Sequence, residues 1–186
     1  MPTKERDTQK RKIYNFQRQI TKGKRFATIP EAQAFSDFYF DLIESFLVKV
    51  YPTRQLLQKP SVAKPHANRK KSIYSPKRNQ IICRYERLYE RVVLHELCHA
   101  LNKYINGKGK LRNFGASHGT EYATIFVFAL IVWAYETNKS INVWYLADNS
   151  GIKYDNAIVK KLYKHYQDFC KERYNSYWNN RQINHK

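Results

Sequence analysis

Two histidines four residues apart, with a glutamate directly after the first, stand in the segment Val93-Leu94-His95-Glu96-Leu97-Cys98-His99-Ala100-Leu101. Apolar residues recur around them at helical spacing, so the segment reads as an amphipathic helix. Positions i and i+4 of a helix lie on one face, one turn apart. His95 and His99 can therefore offer two imidazole nitrogens to one tetrahedral ion, about 2.0–2.1 Å from each nitrogen when the ion is zinc. Glu96 is rotated off that direction. It is badly placed to be a ligand and well placed to reach a water on the ion. Metal-assisted hydrolysis needs that arrangement: zinc lowers the pKa of its water toward about 7 and a carboxylate takes the proton. The same carboxylate can later return the proton to the leaving group. The bland alternative, three polar residues on a solvated helix face, fits poorly with a motif set inside an apolar-periodic helix.

A catalytic zinc normally takes three protein ligands and a water. The extended motif with a third histidine on the same helix is absent, because Asn102 stands where its glycine would be and Ile105 where its histidine would be. Three candidates remain. His118 opens the segment Ser117-His118-Gly119-Thr120-Glu121-Tyr122, Glu121 lies one turn further in, and Glu136 lies at the far end of the same helical segment. Geometry favours His118, since the loop from Asn106 to Ser117 can bring the chain back beside the first helix. Gly119 would permit an unusual backbone or a close approach there. An acid in the first turn of a helix is favourable without any metal, which weakens the case for Glu121. Glu136 reads as a solvated helix-end residue.

The elements that must position these groups are legible in part. Residues 1–12 read as a basic N-terminal arm, residues 13–178 as a single domain and residues 179–186 as a frayed basic tail. Lys12 to Ile20 alternates weakly and is expected to be a strand. Thr28 looks like a helix N-cap, with Pro30 and Glu31 in the first turn and apolar residues at helical spacing from Ala32 to Val50. Pro52 ends that helix, and residues 52–71 read as loop with one short extended piece. Ser72 to Ser75 and Gln80 to Arg84 suggest a hairpin around Pro76-Lys77-Arg78-Asn79. The metal helix is expected from Tyr85 to about Ile105, stopped by Asn106-Gly107. An apolar helix follows from Gly119 or Thr120 to about Thr137. The segment from Ile141 to Tyr154 is ambiguous, and a last helix runs from Ala157 to about Tyr177.

The chain carries 34 Lys+Arg against 15 Asp+Glu in 186 residues, a formal net charge of +19. The excess is clustered. Residues 1–25 hold nine cations and two acids, a second run spans Lys59 to Arg78, and a third covers Lys103, Lys108, Lys110 and Arg112. Such a surface attracts polyanions, and the binding is salt-dependent. Lys70, Lys71, Lys108, Lys110 and Arg112 are the candidate nucleic-acid contacts. Cys83, Cys98 and Cys170 form no CxxC pair and read as small buried hydrophobes in a reducing cytoplasm. The Met1 to Lys12 stretch lacks the apolar run of a secretory signal. Ile125 to Trp133 is the longest apolar stretch, well short of the roughly 20 residues that span a bilayer.

His95-Glu96-Leu97-Cys98-His99-Ala100 followed by His118-Gly119-Thr120-Glu121-Tyr122 resembles the SprT-like metallopeptidases, whose pattern pairs HExxH-A with a downstream H-G-x-x-F. Tyr122 replaces that Phe. The chain also looks similar to small metallohydrolases of actinobacteria and phages, through Arg6-Asp7-Thr8-Gln9-Lys10-Arg11 with Tyr14, the helix from Ala32 to Phe46, and Val92 to Glu96. The resemblance implies an α+β, zincin-like fold with a small antiparallel sheet on the metal helix. It also implies zinc held by His95, His99 and His118, with Glu96 as the base. SprT-like relatives act on DNA-bound proteins, which agrees with the basic surface. The zinc ribbon found in some of them has no Cys pair here. For a virus-encoded protein the compartment would be the host cytoplasm.

Two functions follow. In the first, a zinc-dependent peptidase takes a protein or peptide strand onto a sheet edge near Ser72 to Arg84, with a Tyr or Arg stabilising the oxyanion. In the second, a nucleic-acid-binding or virion-associated protein keeps a structural or vestigial metal site, and Tyr14, Tyr74, Tyr85, Tyr89 and Tyr104 stack on bases. Ordinary packing is the alternative for those tyrosines. Glu96 separates the two, because a structural site needs no carboxylate beside its ligands.

Overall fold

The computed structural model describes residues 9–51, 58–64, 72–106 and 118–183. Among them the fold is α+β, with six α-helices and a small three-stranded sheet. The centre of the core is helix α4 (Thr120–Glu136), in which every residue from Tyr122 to Ala134 is buried. A helix apolar on all faces is stable only when covered on all sides. Helices α3 (Glu90–Asn106), α5 (Val143–Asn149) and α6 (Asn156–Ile183) pack against it. Helix α2 (Ile29–Val50) lies across α3 and α6. No helix of the described residues is long and apolar enough to cross a membrane.

The first element differs from the expectation. Lys10–Gln19 is helix α1, not a strand. Ile13, Phe16 and Ile20 are its buried apolar positions. Their spacing of three and four is helical, and Tyr14 disguises it as alternation by adding a half-exposed aromatic beside Ile13. The side chain of Gln9 bonds to the backbone N–H and C=O of Lys153, so the folded body already includes the residue before α1.

Helix α2 starts and stops where its signals place it. Thr28 accepts the backbone N–H of Glu31 at 3.3 Å, and the Glu31 carboxylate accepts that of Ala27 at 3.1 Å. These bonds satisfy donors that a helix start leaves unpaired. Asn142 caps α5 through the N–H of Tyr145, which resolves the ambiguous segment as a short helix ending before Gly151.

The hairpin forms as expected from β2 (Ile73–Ser75) and β3 (Gln80–Ile82), with Asn79 in the left-handed region at its turn. The sheet is mixed rather than antiparallel. Strand β1 (Ser61–Ala63) pairs in parallel with β3, Val62 opposite Ile81, giving the order β1-β3-β2. Gln33 of α2 holds β1 by bonding to Val62 N–H and Pro60 C=O. A three-residue strand carries too little pattern to announce its partner, and this one is set by a long-range side chain.

Helix α3 begins at Glu90, after a single 3-10 turn at Tyr85–Arg87, and not at Tyr85. The start is fixed from outside. Glu90 Oε2 accepts the Lys24 N–H at 2.9 Å and the Trp133 indole N–H at 3.2 Å. Gly23, at φ +74°, passes so close that a Cβ would lie 2.3 Å from Glu90 Oε2. Only glycine combines that backbone with that approach.

Candidate metal centre

Helix α3 carries His95 and His99 on the face turned toward α1 and the start of α4. His118 stands two residues before α4 and is 4% exposed, while His95 is 2% exposed. The Nε2 atoms of His95 and His118 are 3.4 Å apart. One ligand atom from each of His95, His99 and His118 can be chosen so that all lie within 4.8 Å of one another. Two nitrogens bound at tetrahedral angles to one zinc sit about 3.3–3.4 Å apart, a spacing that the His95–His118 pair matches. The chemistry fits too. Burial, then the His99, His118 and Arg91 charges, hold His95 well below the ordinary imidazole range. Burial, then His118 and Lys10, push His99 down to about 3. Neutral imidazoles are the ligating form.

The third-ligand alternatives are elsewhere. Glu121 is exposed in the first turn of α4. Glu136 is at the opposite end, roughly 24 Å along the helix axis from Thr120, where it accepts the Tyr166 hydroxyl at 2.7 Å and meets Arg173 at 3.5 Å. Gly119 has φ −68° and ψ −175°, an extended backbone open to any residue, so the unusual conformation expected there is not used.

The histidines sit among aromatic rings. Tyr122, fully buried, stacks on His99 with centroids 4.3 Å apart and planes 27° apart, and its hydroxyl donates to the His95 backbone carbonyl at 3.2 Å. Phe126 meets His95 edge-on at 5.3 Å. From the other side Tyr14 of α1 stacks on His95 at 5.4 Å. The sequence offers Tyr14 as a base-stacking candidate and as part of the resemblance, not as a neighbour of the histidines. Its place at the centre follows from reading α1 as a helix, which puts Tyr14 one residue off the buried stripe.

Glu96 turns toward the hairpin. It is 6% exposed, and its carboxyl accepts the backbone N–H of Tyr74 in β2, an edge strand of the sheet. Burial pushes its carboxyl up to about 8 despite that bond. Its charge is felt by Cys83 and Cys98, both core residues with thiols raised chiefly by burial. A buried carboxyl with a strongly raised pKa is a candidate functional group.

The basic surface is visible in part. Lys10, Arg11, Lys12, Arg18, Lys22, Lys24 and Arg25 are all exposed, with no acid between residues 9 and 30. Lys70, Lys71, Lys108, Lys110 and Arg112 lie outside the described residues, as do residues 1–8 and the side chains of Tyr85 and Tyr104. Of the other tyrosines, Tyr74 donates its hydroxyl to Asn79 at 2.7 Å and Tyr89 lies under the Lys22 ammonium.

No family model matches the chain, and no curated protein and no solved structure matches it.

Proposed function

We propose that the chain is a zinc-dependent hydrolase of the peptidase class, with His95, His99 and His118 as ligands and Glu96 as general base. The observation that carries this reading is the approach of His118 Nε2 to within 3.4 Å of His95 Nε2, beside a motif whose intervening glutamate is buried. Zinc held there supplies Lewis acidity and an acidified water. His95, His99 and His118 would give a bound ion three protein ligands, the number usual in catalytic sites, whereas closed structural sites have four. Glu96 accepts the proton and delivers it to the leaving amine. Its bond to Tyr74 N–H holds the carboxyl between α3 and the β2 edge, where an extended peptide could align. Zincin-like geometry and SprT-like kinship are supported by the two histidine motifs, with Tyr122 at the Phe position. The cations on α1 and the segment after it favour substrates associated with nucleic acid or another polyanion.

The test is Glu96→Gln in the full chain, loaded with zinc and offered unfolded protein substrates with and without DNA. The variant is expected to retain about one zinc per chain and to lose cleavage by a factor of about 10² or more. Equal cleavage by the variant and the wild type would remove the hydrolase reading.

A further inference from the structure

Helix α1 lies along the metal-bearing face of α3 in antiparallel register. Arg91, His95 and His99 follow one another at intervals of four along that face. Opposite Arg91 are the carbonyls of Gln17 and Ile20, to both of which its guanidinium donates. Opposite His95 is Tyr14, with ring centroids 5.4 Å apart and planes 25° apart. Near His99 is Lys10, whose charge reaches that imidazole. Lys10 and Tyr14 are themselves one turn apart. The Tyr14 ring also lies 5.5 Å from His118, at 51°. One side chain of α1 thus touches two histidines that come from different parts of the chain.

The two sides of the cluster are unequal. On the inner side Tyr122 and Phe126 of α4 are fully buried and back the His95 ring. On the outer side Tyr14, itself 38% exposed, stacks on His95. The His95 Nδ1 atom is buried without a hydrogen-bond partner among the described residues. The usual device for orienting a ligand histidine is a hydrogen bond to its second nitrogen. Without it, ring contacts must set the His95 orientation.

We propose that Tyr14 is a positioning residue of the metal centre: its ring face, held over α3 by the Arg91 clamp, orients His95 and His118 so that their Nε2 atoms converge on one ion. The inference rests on the metal-centre reading given above. Helix α1 is then a working part of the site and not the edge of a basic arm. The role is assigned to the ring face, so Tyr14→Phe is expected to keep the function and Tyr14→Ala to lose it.

The experiment measures zinc affinity of the full chain by competition with a chromophoric chelator, and the visible spectrum of the cobalt-loaded protein. Metal-free thermal unfolding is followed in parallel. Tyr14→Ala is expected to weaken zinc about tenfold and to alter the cobalt bands, while Tyr14→Phe stays within about twofold of wild type with unchanged bands. If Tyr14→Ala does not fold, Tyr14→Leu, which fills the space without an aromatic face, is expected to show the same loss. Affinity within twofold and an unchanged cobalt spectrum in the Ala or Leu variant would overturn the proposal. So would a Phe variant as weak as Ala, because ring stacking would then not be the device. A wild-type chain that binds neither metal overturns the metal-centre reading itself, an outcome distinct from normal binding in every Tyr14 variant.

Discussion

His95 and His118, 23 residues apart in sequence, bring their Nε2 atoms within 3.4 Å of each other. Between neutral imidazoles this contact can be an N–H···N hydrogen bond, and under the proposed metal centre the same two nitrogens and one of His99 are the ligands. The expected consequence is a sharp division among the candidate ligands. His118→Ala should weaken zinc binding by more than about 100-fold, since a ligand matters more than the outer-shell groups worth about 10–100-fold. Glu121→Ala and Glu136→Ala should leave affinity unchanged. Metal analysis after dialysis against a graded chelator series checks this. A Glu121 variant as weak as the His118 variant would reassign the third ligand.

In the metal-free protein the same site should make stability depend on pH in two opposite ways. His99 is pushed down to about 3 from 6.5, so the unfolded chain binds more protons between those values. Its contribution is present above pH 6.5 and is lost as pH falls toward 3. Glu96 is raised to about 8 from 4.5. Its contribution is complete below pH 4.5 and is lost as pH rises through 8. Glu96→Gln should therefore stabilise the chelator-stripped protein at pH 8–9, by on the order of 1–3 kcal/mol, and the gain should vanish below pH 4.5. Urea unfolding across that range provides the measurement. A gain that is constant with pH would mean that the carboxyl does not titrate in the fold as described.

The two histidine motifs are legible because their chemistry is written in spacing. His95 and His99 need only the period of a helix, and His118 needs only a loop long enough to return. Helix α2 is equally plain, because Thr28, Pro30 and Glu31 mark its start by local bonds. The parts that escape are those fixed by distant partners. The parallel pairing of β1 depends on Gln33, nearly thirty residues away, and the start of α3 depends on Lys24 and Trp133 meeting at Glu90. Helix α1 escapes for a different reason. Its apolar residues obey the helical period, but the half-exposed Tyr14 packs on His95 and His118, and an aromatic placed so breaks the binary pattern from which strands and helices are told apart.

Tyr122 separates two roles that the sequence alone does not. Its ring stacks on His99, and its hydroxyl donates to the His95 backbone carbonyl. Phenylalanine at this place would keep the first and lose the second. Tyr122→Phe should lower stability by about 1 kcal/mol, the worth of one buried hydrogen bond, with zinc affinity within about twofold. Tyr122→Ala should cost about 3–5 kcal/mol through the cavity it leaves and should weaken zinc as well. Thermal unfolding with and without zinc distinguishes these. A Phe variant that loses zinc would assign the hydroxyl a direct role at the centre.

The exposed cations of α1 and the segment that follows it, from Lys10 to Arg25, form a basic run with no acid among them. Each phosphate that such a run neutralises should release counterions, giving a slope of about −0.9 per phosphate in log affinity against log salt for duplex DNA. The wild-type chain should therefore bind a short duplex with a steep salt dependence. Arg11→Gln, Lys12→Gln and Arg18→Gln together should weaken binding at low salt and flatten the slope by about 0.9 for each phosphate no longer neutralised. These three side chains are exposed and none is a candidate ligand, so zinc content should stay at the wild-type level. Fluorescence anisotropy across a salt series gives both affinity and slope. A flat salt response in the wild type would remove the polyanion surface from the functional reading and leave the metal centre to stand by itself.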